Sequence, residues 1–315
     1  MKPDIAIIYF TVCSGTGYGM IISLLSILFN YNLEVSLNIK FIILFLSFFL
    51  ISSGLIASTI HLGHPERAWR ALSQWKSSWL SREGVAAILT FFPLILFYIL
   101  WILNQNLEFI KLTLIISSIC SLITIFCTAK IYSSIKAIPA WNNPFVEIIY
   151  ILNALLLGSI FTFTIFFCFE IKIYFLSNLI IILSLTSLFF KLLYWYSIKK
   201  TSNTNIFTAT GLGDSKRTSF FEGPHTGRNF LTTEMINKIN FSISILLRTA
   251  FCILTYITPA YYMFIQPNLI VSNYVASITF ILIAFLALFG MFTERYLFFI
   301  ESKHTVSLFY GNKTI

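Results

Sequence analysis

The sequence predicts an all-α integral membrane protein, a bundle of eight transmembrane helices, on three observations. Hydrophobic residues fill 57% of the 315 positions against 10% charged, with 34 phenylalanines, and mean hydropathy is +0.85, far outside a soluble globular composition. Eight apolar runs approach or exceed the roughly 20 residues that a helix needs to cross a bilayer. The runs are continuous and rich in Ile, Leu and Phe, unlike the short alternating segments of a membrane barrel, and a helix satisfies its own backbone in lipid.

The spans fall at about 5–30, 39–60, 84–103, 110–129, 145–169, 173–196, 244–265 and 272–298, in one polytopic domain over residues 1–315 without internal repeat or boundary. The first reads as a retained span: Asp4 offsets Lys2, the apolar run is too long for a signal peptide, and no Ala-x-Ala site follows. No twin-arginine pair precedes it. The second span ends at His61 and the third opens at Glu83, 22 positions on. Between them lies the densest polar segment bordering the membrane: His61, His64, Pro65, Glu66, Arg67, Trp69, Arg70, Trp75, Lys76, Trp79 and Arg82.

Pro65 suits a helix N1 position, and Trp69, Leu72 and Trp75 recur at helical spacing opposite Arg67, Arg70 and Gln74, so a short interfacial helix is expected here. The tryptophans read as aromatic-belt anchors and the arginines as snorkelling cations. His61 and Glu83 differ, because ionisable groups at the edge of the hydrocarbon are costly and by default mark a functional site or proton path. Glu83 has a second reading, as a carboxylate complementing the N-terminal dipole of the third helix behind Ser81. A hairpin would bring His61 and Glu83 to one bilayer face, a pairing suited to two-proton chemistry on a membrane-dissolved ligand.

Two further connections share that side. One holds Lys130, Tyr132, Lys136 and Ile138-Pro139-Ala140-Trp141-Asn142. The other, 199–243, is the only loop large enough for a docking surface, with Arg217, His225, Arg228 and Glu234 among turn residues. Its Gly211-Leu212-Gly213 run lacks the strand and helix of a phosphate-binding motif, so no nucleotide site is expected.

Lysine and arginine set the orientation. The side with both termini and the 61–83, 130–144 and 197–243 connections carries fifteen of them, and the opposite loops only Lys40, Lys111 and Lys172. The termini and the His61 loop are therefore expected in the cytoplasm of a bacterial inner membrane. The net charge of +9 is then a topology signal rather than a nucleic-acid footprint.

Cys13, Cys120, Cys127, Cys168 and Cys252 all fall inside spans without C-x-x-C spacing, so neither an iron–sulfur cluster nor a disulfide is expected in this chain. The four histidines, His61, His64, His225 and His304, offer no facing pair at matched depth within the spans. No haem and no metal site are expected; His61 and His304 would be the one candidate haem pair.

His61-Leu-Gly-His64-Pro65-x-Arg67-Ala, the Ser-Trp79-Leu-Ser-Arg82-Glu83 run, Ile138-Pro139-Ala140-Trp141, and a tail with Arg295, Phe298-Phe299, His304 and Phe309-Tyr310-Gly311 resemble the membrane anchor subunits of the dimethyl sulfoxide reductase family over the whole length. The resemblance implies an eight-helix anchor holding a molybdopterin catalytic subunit and a four-cluster iron–sulfur subunit, and exchanging electrons with menaquinone or ubiquinone without a haem. It implies that His61 binds quinone and that Glu83 is the acid relaying protons, with His64, Arg67 and Arg82 lining the site and Trp141, Arg217, His225 and Arg228 on the docking face.

Anchors of exported reductases should place the His61-type loop outside, whereas here that loop is positively charged, so cytoplasmic partners are expected. This points toward the branch whose molybdoenzyme oxidises sulfite. Two other classes compete: a secondary transporter, which would show inverted halves and Gly- or Pro-broken helices at mid-membrane, and a purely structural tether without a quinone site.

Overall fold

The computed structural model describes residues 4–30, 35–60, 64–201, 206, 210–211, 227, 240–265 and 273–310. Among these residues, eight helices are long and apolar enough to cross a membrane: α1 Ile5–Asn30, α2 Leu37–Ile60, α3 Trp79–Ile102, α4 Leu107–Ser133, α5 Phe145–Cys168, α6 Tyr174–Lys200, α7 Phe241–Ile265 and α8 Asn273–Ile300. The expected spans are all present. The largest extensions are at α3, which begins at Trp79, and α4, which runs on to Ser133. Polar residues there stay helical because the backbone hydrogen-bond ladder does not stop where the apolar run does.

The helix at the centre is α1. Its most apolar window is 72% buried inside the protein, against 28% for α3 and 22% for α7. Lipid is as apolar as leucine, so close packing and interhelical polar contacts hold such bundles together, and small residues make both possible. A Cβ on Gly19 would overlap the carbonyl of Ala154 on α5, and one on Gly158 would overlap the Gly19 backbone, so these two helices touch backbone to backbone. Gly17 meets Ser47 and Ile51 of α2 in the same way. Hydroxyls stitch the seams: Ser23 Oγ lies 2.7 Å from Thr162 Oγ1, and the Tyr9 hydroxyl donates to Ser53 Oγ at 3.2 Å.

Inside α7, Cys252–Ile257 is a π-helical segment. Pro259 supplies the reason, since its ring clashes with the carbonyl four residues back and it has no N–H to donate there. The widened turn points Tyr256 inward, where its hydroxyl donates to Asn153 Oδ1 of α5 at 2.9 Å. Pro93 lies within α3 as well. Prolines are thus inside two spans, although most of the eight fall at loop edges.

Side-chain contacts fix which helix ends share a face. Trp141 Nε1 donates to the Phe298 carbonyl at 3.1 Å, Asn143 Nδ2 to Ser197 Oγ at 3.0 Å, and Thr305 N to the Ala137 carbonyl at 2.9 Å. The ends of α4, α6 and α8 and the start of α5 therefore meet at one face, called the loop face below. At the far face, Lys40 of α2 donates to the Trp101 carbonyl at 2.8 Å and to Asn104 Oδ1 at 2.5 Å.

Candidate functional site at the loop face

The connection from α2 to α3 is helical, as its spacing suggested, in three one-turn pieces: 3-10 turns Pro65–Arg67 and Leu72–Gln74 flank the α-turn Ala68–Ala71. Pro65 sits at the start of the first. Trp69 and Trp75 are exposed, in keeping with membrane-belt anchors. Arg82 clamps the return: its guanidinium donates to the carbonyls of Trp75 at 2.9 Å and Lys76 at 2.6 Å, and lies 4.3 Å over the Trp79 ring. His64 Nδ1 is 3.0 Å from Glu66 Oε1, and both side chains are exposed with Arg67. His61 lies outside the described residues.

Glu83 turns into the bundle. It stands one turn inside α3 and is only 3% exposed, and Thr128 of α4 donates its hydroxyl to Oε1. The first turn of α3 contains no acid, so Glu83 serves a partner on another helix rather than capping its own. One turn of α4 deeper, Thr124 Oγ1 meets Thr90 Oγ1 of α3 at 3.1 Å.

Behind Thr128 is a polar cavity of about 30 Å³ between α1, α4, α5 and α8. Its lining includes Thr11, Thr128, Tyr150, Asn153 and Arg295. The Arg295 guanidinium lies 3.8 Å over the Tyr150 ring, and its Nε is 2.6 Å from Glu294 Oε2. Glu294 Oε1 pairs in turn with Lys191 of α6. All three charged side chains are buried, a placement tolerated in a membrane interior only through mutual pairing. Closer to the face, Arg248 makes a bidentate pair with Glu301 at 2.8 and 2.9 Å, and Lys130 pairs with Glu147 at 2.5 Å.

This charge layer was not foreseen from the sequence, which suggested span interiors with few charges. A signal for it existed: fifteen of the 21 basic residues belong to one side and three to the other, which leaves Lys191, Arg248 and Arg295 for the spans.

Trp141, expected on the docking face, is a correction. It is 4% exposed, stacked on Phe298 at 5.6 Å and edge-on to Tyr132 at 5.3 Å, so its ring fastens the 134–144 connection and offers no surface for a partner. Arg217, His225 and Arg228 lie outside the described residues. All five cysteines are free, and among the described residues no group of three or more His, Cys, Asp or Glu side chains could hold a metal ion.

Eight spanning helices, with Glu83, Lys191, Glu294 and Arg295 buried among them, define a multi-pass membrane protein. The chain belongs to the family described as DMSO reductase anchor subunit (DmsC), whose model matches residues 1–311; it is a membrane anchor subunit. It is similar to a sulfite dehydrogenase subunit of Allochromatium vinosum, 26% identical over 98% of this chain and 99% of that protein. It also resembles an anaerobic dimethyl sulfoxide reductase chain of Haemophilus influenzae, 27% identical over 49% of this chain and 56% of that one. A third relative is the anaerobic dimethyl sulfoxide reductase chain YnfH of Escherichia coli, 30% identical over 37% of this chain and 41% of that one. No solved structure matches.

Proposed function

We propose that this protein is the quinone-reactive anchor of a molybdopterin and iron–sulfur oxidoreductase, passing electrons between the quinone pool and an iron–sulfur subunit docked on the loop face. The observation that carries the reading is the burial of Glu83 at the loop-face end of α3 with, among the described residues, the Thr128 hydroxyl as its hydrogen-bond partner. Among the described residues no cation pairs with it, and an acid sheltered at the membrane edge is costly and by default handles protons.

Oxidation of a quinol releases two electrons and two protons. Glu83, as a carboxylate, accepts the proton of one ring hydroxyl as the electrons leave to the iron–sulfur subunit, and His61, as a neutral imidazole, binds the other ring oxygen and takes its proton; both protons pass on to the loop face. His64, Arg67 and Arg82 border the same end, Arg82 by holding the 64–78 connection against α3. The reverse reaction uses the same groups.

The partners are a four-cluster iron–sulfur subunit and a molybdopterin catalytic subunit, seated on the loop face with contributions from Arg217, His225 and Arg228. The excess of Lys and Arg on that side supports a cytoplasmic loop face in a bacterial inner membrane, and the full-length similarity to a sulfite dehydrogenase subunit favours sulfite oxidation feeding the quinone pool.

Purification of the complex through this chain in mild detergent tests the reading. Molybdenum and abundant iron should co-purify, and Glu83→Gln should abolish quinone-coupled turnover while leaving dye-coupled turnover of the catalytic subunit intact. Equal loss of both activities would show failed assembly, and full quinone-coupled activity in Glu83→Gln would refute the role of Glu83.

A further inference from the structure

The cavity behind Thr128 has a chemical polarity that decides what it can hold. Arg295 Nη1 and Asn153 Nδ2 have no hydrogen-bond partner among the described residues, and both residues are 3% exposed. Asn153 is fixed in orientation because its Oδ1 accepts from Tyr256, which leaves its amide N–H groups as unpaired donors. A guanidinium can only donate. A volume of about 30 Å³ has room for one or two waters, and waters occupy such places when two or more polar partners line them.

Across the cavity, Thr128 already commits its proton to Glu83, so toward the cavity its oxygen can only accept. Water placed between must therefore accept from Arg295 and donate to Thr128. The hydrogen bonds then run one way, from guanidinium to water to hydroxyl to carboxylate.

We infer that this cavity is a water site through which Arg295 and Thr128 hold the Glu83 carboxylate in place. The inference rests on Glu83 being the quinone-side acid. Arg295 is accordingly a positioning residue for the quinone reaction, acting through two intermediates. Its own place is held by Glu294 and the Tyr150 ring.

A high-resolution structure of the purified holo-complex gives the direct test. Density for water within hydrogen-bond reach of both Arg295 Nη1 and Thr128 Oγ1 is expected; an empty cavity, or a halide whose occupancy follows chloride concentration, overturns the inference whatever the activity. The functional arm uses Thr128→Val and Thr128→Ser with a short-chain naphthoquinol as probe and a dye assay for assembly. Thr128→Val should lower kcat with the quinol at least tenfold, Thr128→Ser should recover to within about twofold, and dye-coupled turnover should hold in both. Full activity in Thr128→Val overturns the inference. Should Glu83→Gln remain fully active while the water is present, the quinone assignment of Glu83 fails and the water site stands.

Discussion

Thr128 donates its hydroxyl to Glu83 across the α3–α4 interface, between residues 45 apart in sequence. The same hydroxyl also reaches the Thr124 carbonyl at 3.1 Å, so it keeps a partner if the acid is removed. Glu83 is thus expendable for folding. Glu83→Leu should melt in detergent within about 1 kcal/mol of wild type or above it, since replacing a sheltered charge by an apolar side chain is often stabilising. Quinone-coupled turnover should vanish. A large fall in melting temperature would show that the carboxylate is structural.

The Lys191–Glu294–Arg295 cluster contains two cations and one carboxylate. Removing the carboxylate leaves two buried positive charges facing one another, whereas removing Lys191 leaves a balanced pair. Glu294→Gln should therefore cost about 3–5 kcal/mol and sharply reduce the amount of assembled protein in membranes. Lys191→Met should assemble near wild-type level. Comparing the two by quantitative immunoblot of membrane fractions checks the asymmetry, and equal losses would contradict it.

The glycines of α1 are not equivalent. A Cβ on Gly19 runs into the α5 backbone, while one on Gly15 meets Ala154 Cβ at an ordinary 3.6 Å. Gly19→Ala should separate the helices and cost about 1–3 kcal/mol, as overpacking does. Gly15→Ala should be neutral or slightly stabilising, because alanine also favours the helix. Detergent melting curves of the two variants make the comparison.

His304 lies beyond α8, and its Nδ1 accepts from the Val306 amide at 3.1 Å. Partial burial holds its pKa below the usual 6.5. The unfolded state then binds the proton more readily, so the turn Thr305–Tyr310 loses stability as pH falls below about 6.5. Hydrogen exchange at Val306, corrected for its intrinsic rate, should accelerate between about pH 7 and pH 5. His304→Asn, whose side-chain oxygen can accept the same bond without titrating, should remove the effect.

Much of the fold was legible because lipid demands apolar length, and length can be counted along a chain. Glu83 was legible for the complementary reason: an acid beside an apolar run stands out in one dimension. Lys191 and Glu294 did not stand out as a pair, since they lie 103 residues apart and each alone resembles an isolated charge in a span. Trp141 misled because a Pro-Ala-Trp loop reads as surface, while its burial depends on Phe298, 157 residues away. The π segment was unreadable until Pro259 could be placed against the carbonyls of its own helix. The role of Arg82 is likewise a matter of backbone carbonyls, which carry no signature in sequence.

The backbone contact of α1 with α5 also bears on biogenesis. Helix α1 is synthesised before α5, and its face with Gly15, Gly19 and Ser23 finds its cover there only after more than a hundred further residues have been synthesised. Until then α2, which packs on Gly17 and Tyr9, is the neighbour at hand for the central helix. The order of synthesis and the order of packing are thus out of step: α1 gains α2 directly and α5 only three spans later.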